Sequence, residues 1–84
     1  MKYYWYNTCP ACNQGRLIIT KNITASTLYL HCEECEQGWP TPNDVDLKIN
    51  NFLTLLEDYE TEIPSLEEIS NYGWKEFAKN SFEI

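Results

Sequence analysis

The sequence predicts an α+β fold, in which an N-terminal three-stranded β part is followed by two or three C-terminal helices in one small domain. The chain has 84 residues, which is the size of a single domain. Two close cysteine pairs enclose a stretch rich in β-branched and aromatic residues, which favour strands. After Trp39, two prolines interrupt this pattern and the apolar residues change to helical spacing. We therefore expect a β part over residues 1–40 and an acidic helical part over residues 41–84.

The β part is expected to contain a pair of strands with a third strand beside them. Residues 16–21 and 26–31 are rich in β-branched or aromatic side chains, and residues 22–25 can form the loop between them. Residues 2–8 place aromatic side chains alternately on two faces, which predicts the third strand.

A helix is expected at the start of the second half. Apolar residues recur there at the spacing that places them on one helical face. They predict a helix over about residues 44–59, with Asn43 or Asp44 as its N-cap. The apolar residues concerned are Val45, Ile49, Phe52, Leu53, Leu56 and Tyr59.

A second helix is expected to begin at a capping box. Ser65 can accept a hydrogen bond from the N–H of Glu68, whose own side chain can reach back to the start of the helix. Gly73 readily adopts the left-handed conformation that ends helices. Residues 74–79 are then expected to form a short final turn or helix.

The four cysteines have the spacing of a metal site. They are Cys9, Cys12, Cys32 and Cys35, in the pattern C-x2-C-x19-C-x2-C. Zinc is bound by four ligands in a tetrahedron, and each C-x-x-C turn can place two thiolates on one edge of it. Because four thiolates close the coordination shell, the sequence predicts a structural Zn2+ rather than a catalytic one. Iron or an iron–sulfur cluster stays open as an alternative metal.

The same short pattern follows each cysteine pair. Both turns read C-x-x-C-x-Q-G and end in Gly15 and Gly38. We expect these glycines, together with Asn13, to adopt the left-handed conformation of such turns. Glu36 takes the place of Asn13 in the second turn, so a looser turn is expected there. His31, beside the third cysteine, is expected to be an ordinary strand residue because four ligands are already present.

Other uses of the cysteines fit the sequence less well. A disulfide framework needs an oxidising compartment, and no export signal is recognised, so we expect a cytoplasmic protein. A redox C-x-x-C would lie near a βαβ pattern, which this sequence lacks. No stretch approaches the roughly 18 apolar residues of a membrane span, so no membrane association is expected.

The charge distribution favours a protein partner. Six Lys and Arg against thirteen Asp and Glu give a net charge of −7, and all the acids lie within residues 33–84. Such a surface repels nucleic acid and attracts a basic protein. Four acids would lie at or beyond the end of the first expected helix, where they oppose the helix dipole without a visible structural gain. With one aromatic anchor among them, the candidate partner-binding residues are Glu57, Asp58, Tyr59, Glu60 and Glu62.

Two resemblances sharpen this hypothesis. The C-P-x-C and C-x-x-C pairs of residues 1–38 resemble a zinc ribbon. The whole chain, with its acidic tail and the S-L-E-E-I-x-x-x-G-W stretch from Ser65 to Trp74, resembles small bacterial immunity proteins. That resemblance implies an inhibitor of a cognate toxin domain, often a basic nuclease, acting as a monomer or in a 1:1 heterodimer.

Catalysis is not expected, and nucleic-acid binding is the alternative. No phosphate-binding glycine loop, G-x-S-x-G or H-E-x-x-H motif occurs, so we expect no enzyme. A nucleic-acid-binding or transcription-associated protein would use Lys2, Arg16 and Lys21 with the strand aromatics, a combination typical of single-strand binding. Three cations are few for that purpose, so the alternative ranks second.

Overall fold

The computed structural model describes residues 1–83 and is dominated by one antiparallel sheet of seven strands. The strands are β1 (Lys2–Thr8), β2 (Arg16–Asn22), β3 (Thr27–Cys32), β4 (Gln37–Trp39), β5 (Phe52–Leu53), β6 (Thr61–Glu62) and β7 (Asn80–Glu83). Two short helices, α1 (Pro42–Leu47) and α2 (Leu66–Asn71), and two 3₁₀ turns, Thr54–Leu56 and Lys75–Phe77, complete the described chain. The predicted arrangement of a three-stranded part followed by helices is therefore wrong, because strands continue through the second half.

The sheet grows outwards from the hairpin of β2 and β3. The strand order is β5-β4-β3-β2-β1-β7, and β6 also pairs with β2. The β1, β2 and β3 strands lie within one residue of the three strands expected from the sequence. The edge of β2 is shared, since β1 pairs with its first half and β6 pairs with Lys21 and Asn22 at its end.

One face of the sheet carries the main core. Alternation along β2 and β3 turns five side chains to this face, and each is at most 5% exposed. They are Leu17, Ile19, Leu28, Leu30 and Cys32. Val45 of α1 and Ile69 of α2 join the same buried cluster, so both helices cover this face. Full burial of each large apolar side chain contributes about 1.5–3 kcal/mol.

The first expected helix is cut short. Thr41 is its N-cap, where its hydroxyl accepts from the Asp44 N–H at 3.1 Å, so Asn43 and Asp44 are not the cap. The helix ends at Leu47, because Lys48 and Asn50 have φ values of 58° and 60°, which no α-helix contains.

Beyond this point the chain pairs with the sheet instead of continuing as a helix. The β5 strand pairs with β4, and the Thr54 N–H donates to the Glu36 carbonyl at 3.0 Å. The periodic apolar residues do not share a buried face, since Ile49 is 45% exposed and Leu56 is 80% exposed. Backbone pairing therefore outweighed the helical periodicity of residues 44–59.

The capping box is where the sequence places it. The Glu68 N–H donates to the Ser65 hydroxyl at 3.1 Å, and α2 follows directly. Gly73 has φ +79°, as expected for a residue that ends a helix. The β7 strand was not predicted and pairs with β1, where Phe82 stacks on Tyr3 at 5.1 Å. Within residues 1–83, no helix is long and apolar enough to cross a membrane.

Candidate metal centre

The fold brings the four cysteines together at one end of the β2–β3 hairpin. All four sulfur atoms lie within 4.8 Å of one another. The Sγ atoms of Cys9 and Cys35 are 3.8 Å apart, and those of Cys12 and Cys32 are 3.6 Å apart. A tetrahedral metal with metal–sulfur bonds of about 2.3 Å has sulfur–sulfur edges of about 3.8 Å. The group can therefore hold one metal ion, as its spacing in the sequence predicts.

The first knuckle, residues 9–15, closes on itself. The Asn13 N–H donates to the Cys9 carbonyl at 2.8 Å, and the Cys9 N–H donates to the Gly15 carbonyl at 2.8 Å. The Gly15 N–H points at the Cys12 sulfur at 3.4 Å. Asn13 has φ 58°, a left-handed conformation that asparagine tolerates well. Local sequence alone accounts for this turn.

The second knuckle, residues 32–38, contains the same turn but is supported from outside. The Glu36 N–H donates to the Cys32 carbonyl at 3.3 Å, which matches the first knuckle. Glu36 has φ 62°, although glutamate is a poor residue for this region. Its carboxylate contacts His31 Nε2 at 2.7 Å, and its carbonyl accepts from the Thr54 hydroxyl at 2.7 Å. These contacts from two other elements hold the unfavourable conformation.

The two knuckle glycines are required for space rather than for a left-handed backbone. Of the glycines, only Gly73 has a positive φ, so the expectation for Gly15 and Gly38 is wrong. A methyl group at Gly15 would collide with the Cys32 sulfur, and its Cβ would lie 3.0 Å from the Glu34 backbone nitrogen. A methyl group at Gly38 would lie 2.5 Å from the ring of Phe52. Glycine lets the two knuckles and β5 approach each other closely.

The cysteine thiols differ in pKa. Backbone N–H groups of Gly15 and Gln14 lower the pKa of Cys12 to about 6. Burial raises the pKa of Cys32 to about 12, although N–H groups of its own turn partly offset this. Burial likewise raises the pKa of Cys35. A thiolate at Cys32 therefore needs a bound cation to compensate its charge in the core.

Charged contacts around the centre tie the second knuckle to the sheet. Arg16 Nη2 and Nε donate to the Glu33 carboxylate at 2.9 and 2.5 Å, and the Arg16 guanidinium lies 3.8 Å from the Phe82 ring centroid. This bidentate hydrogen bonding lowers the pKa of Glu33. His31 lies on β3 as expected, and its contact with Glu36 gives it a supporting role beside the cysteines.

The predicted partner-binding residues do not lie at the end of an α-helix. The acidic segment, residues 57–62, runs without regular secondary structure from the end of the first 3₁₀ turn to β6. The helix-dipole reason for singling out its acids is therefore wrong. The Ile23 N–H donates to the Glu60 carbonyl at 2.9 Å, and the Glu60 N–H donates to the Thr24 hydroxyl at 3.2 Å. These bonds dock the segment on the loop between β2 and β3.

The five predicted partner-binding side chains of this segment differ in exposure and contacts. Three of them, Glu57, Asp58 and Glu60, are exposed and make no ion pair within residues 1–83. Glu62 lies 3.5 Å from the Lys21 ammonium. Tyr59 turns inwards, with its ring 5.8 Å from the ring of Tyr29. The segment thus presents acids outwards while its aromatic residue packs on the sheet.

The sequence did not reveal an exposed apolar pair beside these acids. Leu55 is 71% exposed and Leu56 is 80% exposed, immediately before Glu57. The expected helix had placed Leu56 on a buried face, which hid this feature. Two adjacent leucines followed by two acids were the available signal.

The cations needed by the nucleic-acid alternative are largely occupied. Arg16 is paired with Glu33, and Lys21 contacts Glu68 at 2.7 Å. Two of the strand aromatics, Tyr6 and Tyr29, are at most 7% exposed. This arrangement offers few free groups for stacking bases and binding phosphates.

Comparisons with known proteins identify no relative. No family model, no curated protein and no solved structure matches this chain.

Proposed function

We propose that Cys9, Cys12, Cys32 and Cys35 bind one structural Zn2+ ion. The sulfur–sulfur distances of 3.6 and 3.8 Å suit a tetrahedral ion, and four thiolates leave no open position for substrate. Zinc is favoured over iron because this donor set is the one that closed structural zinc sites use. The ion would cross-link the two knuckles and supply folding energy that a small core lacks.

We further propose that the metal-held sheet presents a surface that binds and inhibits a basic protein. The exposed acidic segment carries this proposal, since Glu57, Asp58 and Glu60 have no cation within the described residues to neutralise them. Leu55 and Leu56 add exposed apolar area next to those acids. An apolar contact flanked by charge is the composition of a specific protein interface, and the charge accelerates association.

The partner class follows from this chemistry and from the resemblance to immunity proteins. A nuclease-type toxin has a basic cleft that binds a polyanion, and an acidic surface seated in that cleft would exclude the substrate. In this proposal the chain is not an enzyme, acts in the cytoplasm, and forms a 1:1 complex with the toxin domain. Nucleic-acid binding ranks second because Arg16 and Lys21 are already paired.

Charge reversal with a matched control tests the interface. The test variant is Glu57→Lys/Asp58→Lys, and the control is Glu76→Lys/Glu83→Lys, which changes the net charge equally at two other exposed acids. Each tagged, metal-loaded protein is isolated from its own cells, and the co-isolated partner is quantified. We expect the test variant to lose at least about tenfold in partner recovery.

The control shows whether position matters. We expect the control variant to recover the same basic protein as the wild type. Equal recovery by both variants would contradict the interface assignment. Recovery of nucleic acid by the wild type, with a steep dependence on salt, would favour the alternative function.

A further inference from the structure

A groove of about 530 Å3 opens beside the acidic segment, on a part of β3 that has a partner on one side only. The β4 strand pairs with β3 only at Leu30 and His31. Residues 27–29 therefore have β2 on one side and the groove on the other. An open strand edge of this kind can pair with an extended segment of another chain.

The walls of the groove are aromatic. The rings of Phe52 and Tyr59 lie 5.9 and 5.8 Å from that of Tyr29, so three rings form one continuous cluster. Tyr72 and Trp74 line the groove from the region of α2. Aromatic faces carry partial negative charge and attract ammonium and guanidinium groups.

The charge of the groove points to the same class of ligand. Among the described residues that line it, Glu57 is acidic and none is Lys or Arg. The Tyr59 hydroxyl is buried and, within those residues, has no hydrogen bond of ordinary length and angle. Burial raises the pKa of this phenol, and the neighbouring Tyr29 hydroxyl only partly offsets that effect.

A second groove of the sheet differs in charge. It measures about 370 Å3 and includes Arg16, His31, Glu33 and Glu36 among its lining residues. Those groups are paired with one another, as Arg16 with Glu33 and His31 with Glu36. It therefore offers no unpaired carboxylate comparable to Glu57.

We propose that the aromatic groove binds a guanidinium or ammonium side chain carried by an extended segment of the basic partner, an inference that rests on the proposed function. The cation lies against the aromatic faces and pairs with the Glu57 carboxylate. The backbone of the segment runs along residues 27–29. The groove then gives the acidic surface a specific anchor in addition to general charge attraction.

A small probe tests the groove without the partner. The probe is N-acetyl-L-arginine amide, and N-acetyl-L-citrulline amide is its uncharged isostere. Each is titrated into the ¹⁵N-labelled, metal-loaded protein while amide chemical shifts are followed. We expect the arginine probe to shift groove amides such as those of Leu28, Tyr29 and Thr41. The citrulline probe is expected to bind at least about fivefold more weakly.

Variants separate the groove from the rest of the acidic surface. We expect Glu57→Gln to weaken the arginine probe about fivefold, whereas Glu60→Gln, at an exposed acid outside the groove, leaves binding unchanged. Tyr72→Leu is expected to weaken binding of the arginine probe too. Because Tyr72 is 37% exposed, this change should have little effect on folding. Three results would overturn the inference. They are equal binding of the two probes, chemical-shift changes confined to other surfaces, and equal loss of probe affinity in both glutamine variants.

The two experiments distinguish failure of the groove inference from failure of the proposed function. If the arginine probe does not bind but Glu57→Lys/Asp58→Lys still loses the partner, the groove inference is wrong and the proposed function stands. If the probe binds at the groove but partner recovery is unaffected by that charge reversal, the cation site stands and the proposed function is wrong.

Discussion

The first and second knuckles have the same sequence pattern and the same turn, but they are stabilised in different ways. In the first knuckle, Asn13 suits its left-handed position and the hydrogen bonds stay within residues 9–15. In the second knuckle, Glu36 occupies the equivalent position and is held by His31 and Thr54. A local motif can thus be encoded by its own residues or imposed by the fold around it. Three pairs of changes and one single change test this difference, from the largest effect to the smallest.

The two cysteine ligands that face each other across the centre should not be equivalent. Cys32 is 0% exposed within the core, whereas Cys12 lies partly at the surface. We expect Cys32→Ser to abolish folding even with excess zinc. The proposed zinc site would contribute a free energy comparable to the total free energy of unfolding of a small domain, which is about 5–15 kcal/mol. We expect Cys12→Ser to fold with weakened metal binding, since water can complete the shell there. Circular dichroism and metal content by mass spectrometry distinguish these outcomes, and equal loss of folding in both variants would contradict the asymmetry.

The two glycines should differ in a similar way. A methyl group at Gly15 meets the buried sulfur of Cys32, which the proposed metal would fix in place, whereas one at Gly38 meets the half-buried ring of Phe52, which can shift. We expect Gly15→Ala to lower the free energy of unfolding by about 3 kcal/mol and Gly38→Ala by about 1 kcal/mol. Urea unfolding of the zinc-loaded proteins measures both values. A larger loss for Gly38→Ala would show that β5 is more rigid than the metal centre.

The left-handed positions provide a smaller contrast. Asn13→Ala removes the short polar side chain that lets asparagine tolerate φ 58°, so we expect a loss of about 1 kcal/mol. Glu36→Gly removes a comparable strain but also removes the hydrogen bond to His31, which contributes about 1 kcal/mol, so we expect almost no net change. A clear stabilisation by Glu36→Gly would mean that the His31 contact contributes nothing. The same unfolding measurement gives the answer.

The second knuckle should lose stability at low pH through its Arg16–Glu33 pair. The Arg16 guanidinium lowers the folded-state pKa of Glu33 below its ordinary value of 4.5. The stabilisation is therefore fully present above about pH 4.5 and is lost as the pH falls through the lower folded-state pKa. Because both side chains are partly exposed, we expect Glu33→Gln to cost less than about 1 kcal/mol at pH 7. The difference in melting temperature from the wild type should shrink towards pH 3, and a constant difference would contradict the pairing.

The first half of the fold was accessible from the sequence because its signals are local. The strands over residues 2–8, 16–21 and 26–31 follow from side-chain type, and the cysteine spacing indicated that the four thiols meet. The sequence pointed to the glycines of the knuckles, but it did not show why glycine is required there. Only the structure shows that Gly15 faces the Cys32 sulfur across the centre.

The second half was not accessible because its elements depend on pairing with the first. Residues 44–59 have helical periodicity, yet β5 forms because β4 offers an unpaired edge. The β7 strand contains one strongly strand-forming residue, Phe82, and is held by β1 and by the Arg16 guanidinium over that ring. The acidic residues are evident from composition, and their role in binding a partner stays a prediction. The path of their segment and the groove beside it depend on these non-local contacts.

The central claim is that a zinc-held sheet presents an acidic surface to a basic protein. Native mass spectrometry of the untagged protein from its own cells tests it most directly, because it weighs the metal and any bound partner together. We predict a species that contains one zinc ion, this chain and one basic protein in a 1:1 ratio. A chain without metal would contradict the proposed metal centre, and a zinc-loaded chain without any protein partner would contradict the proposed inhibitor.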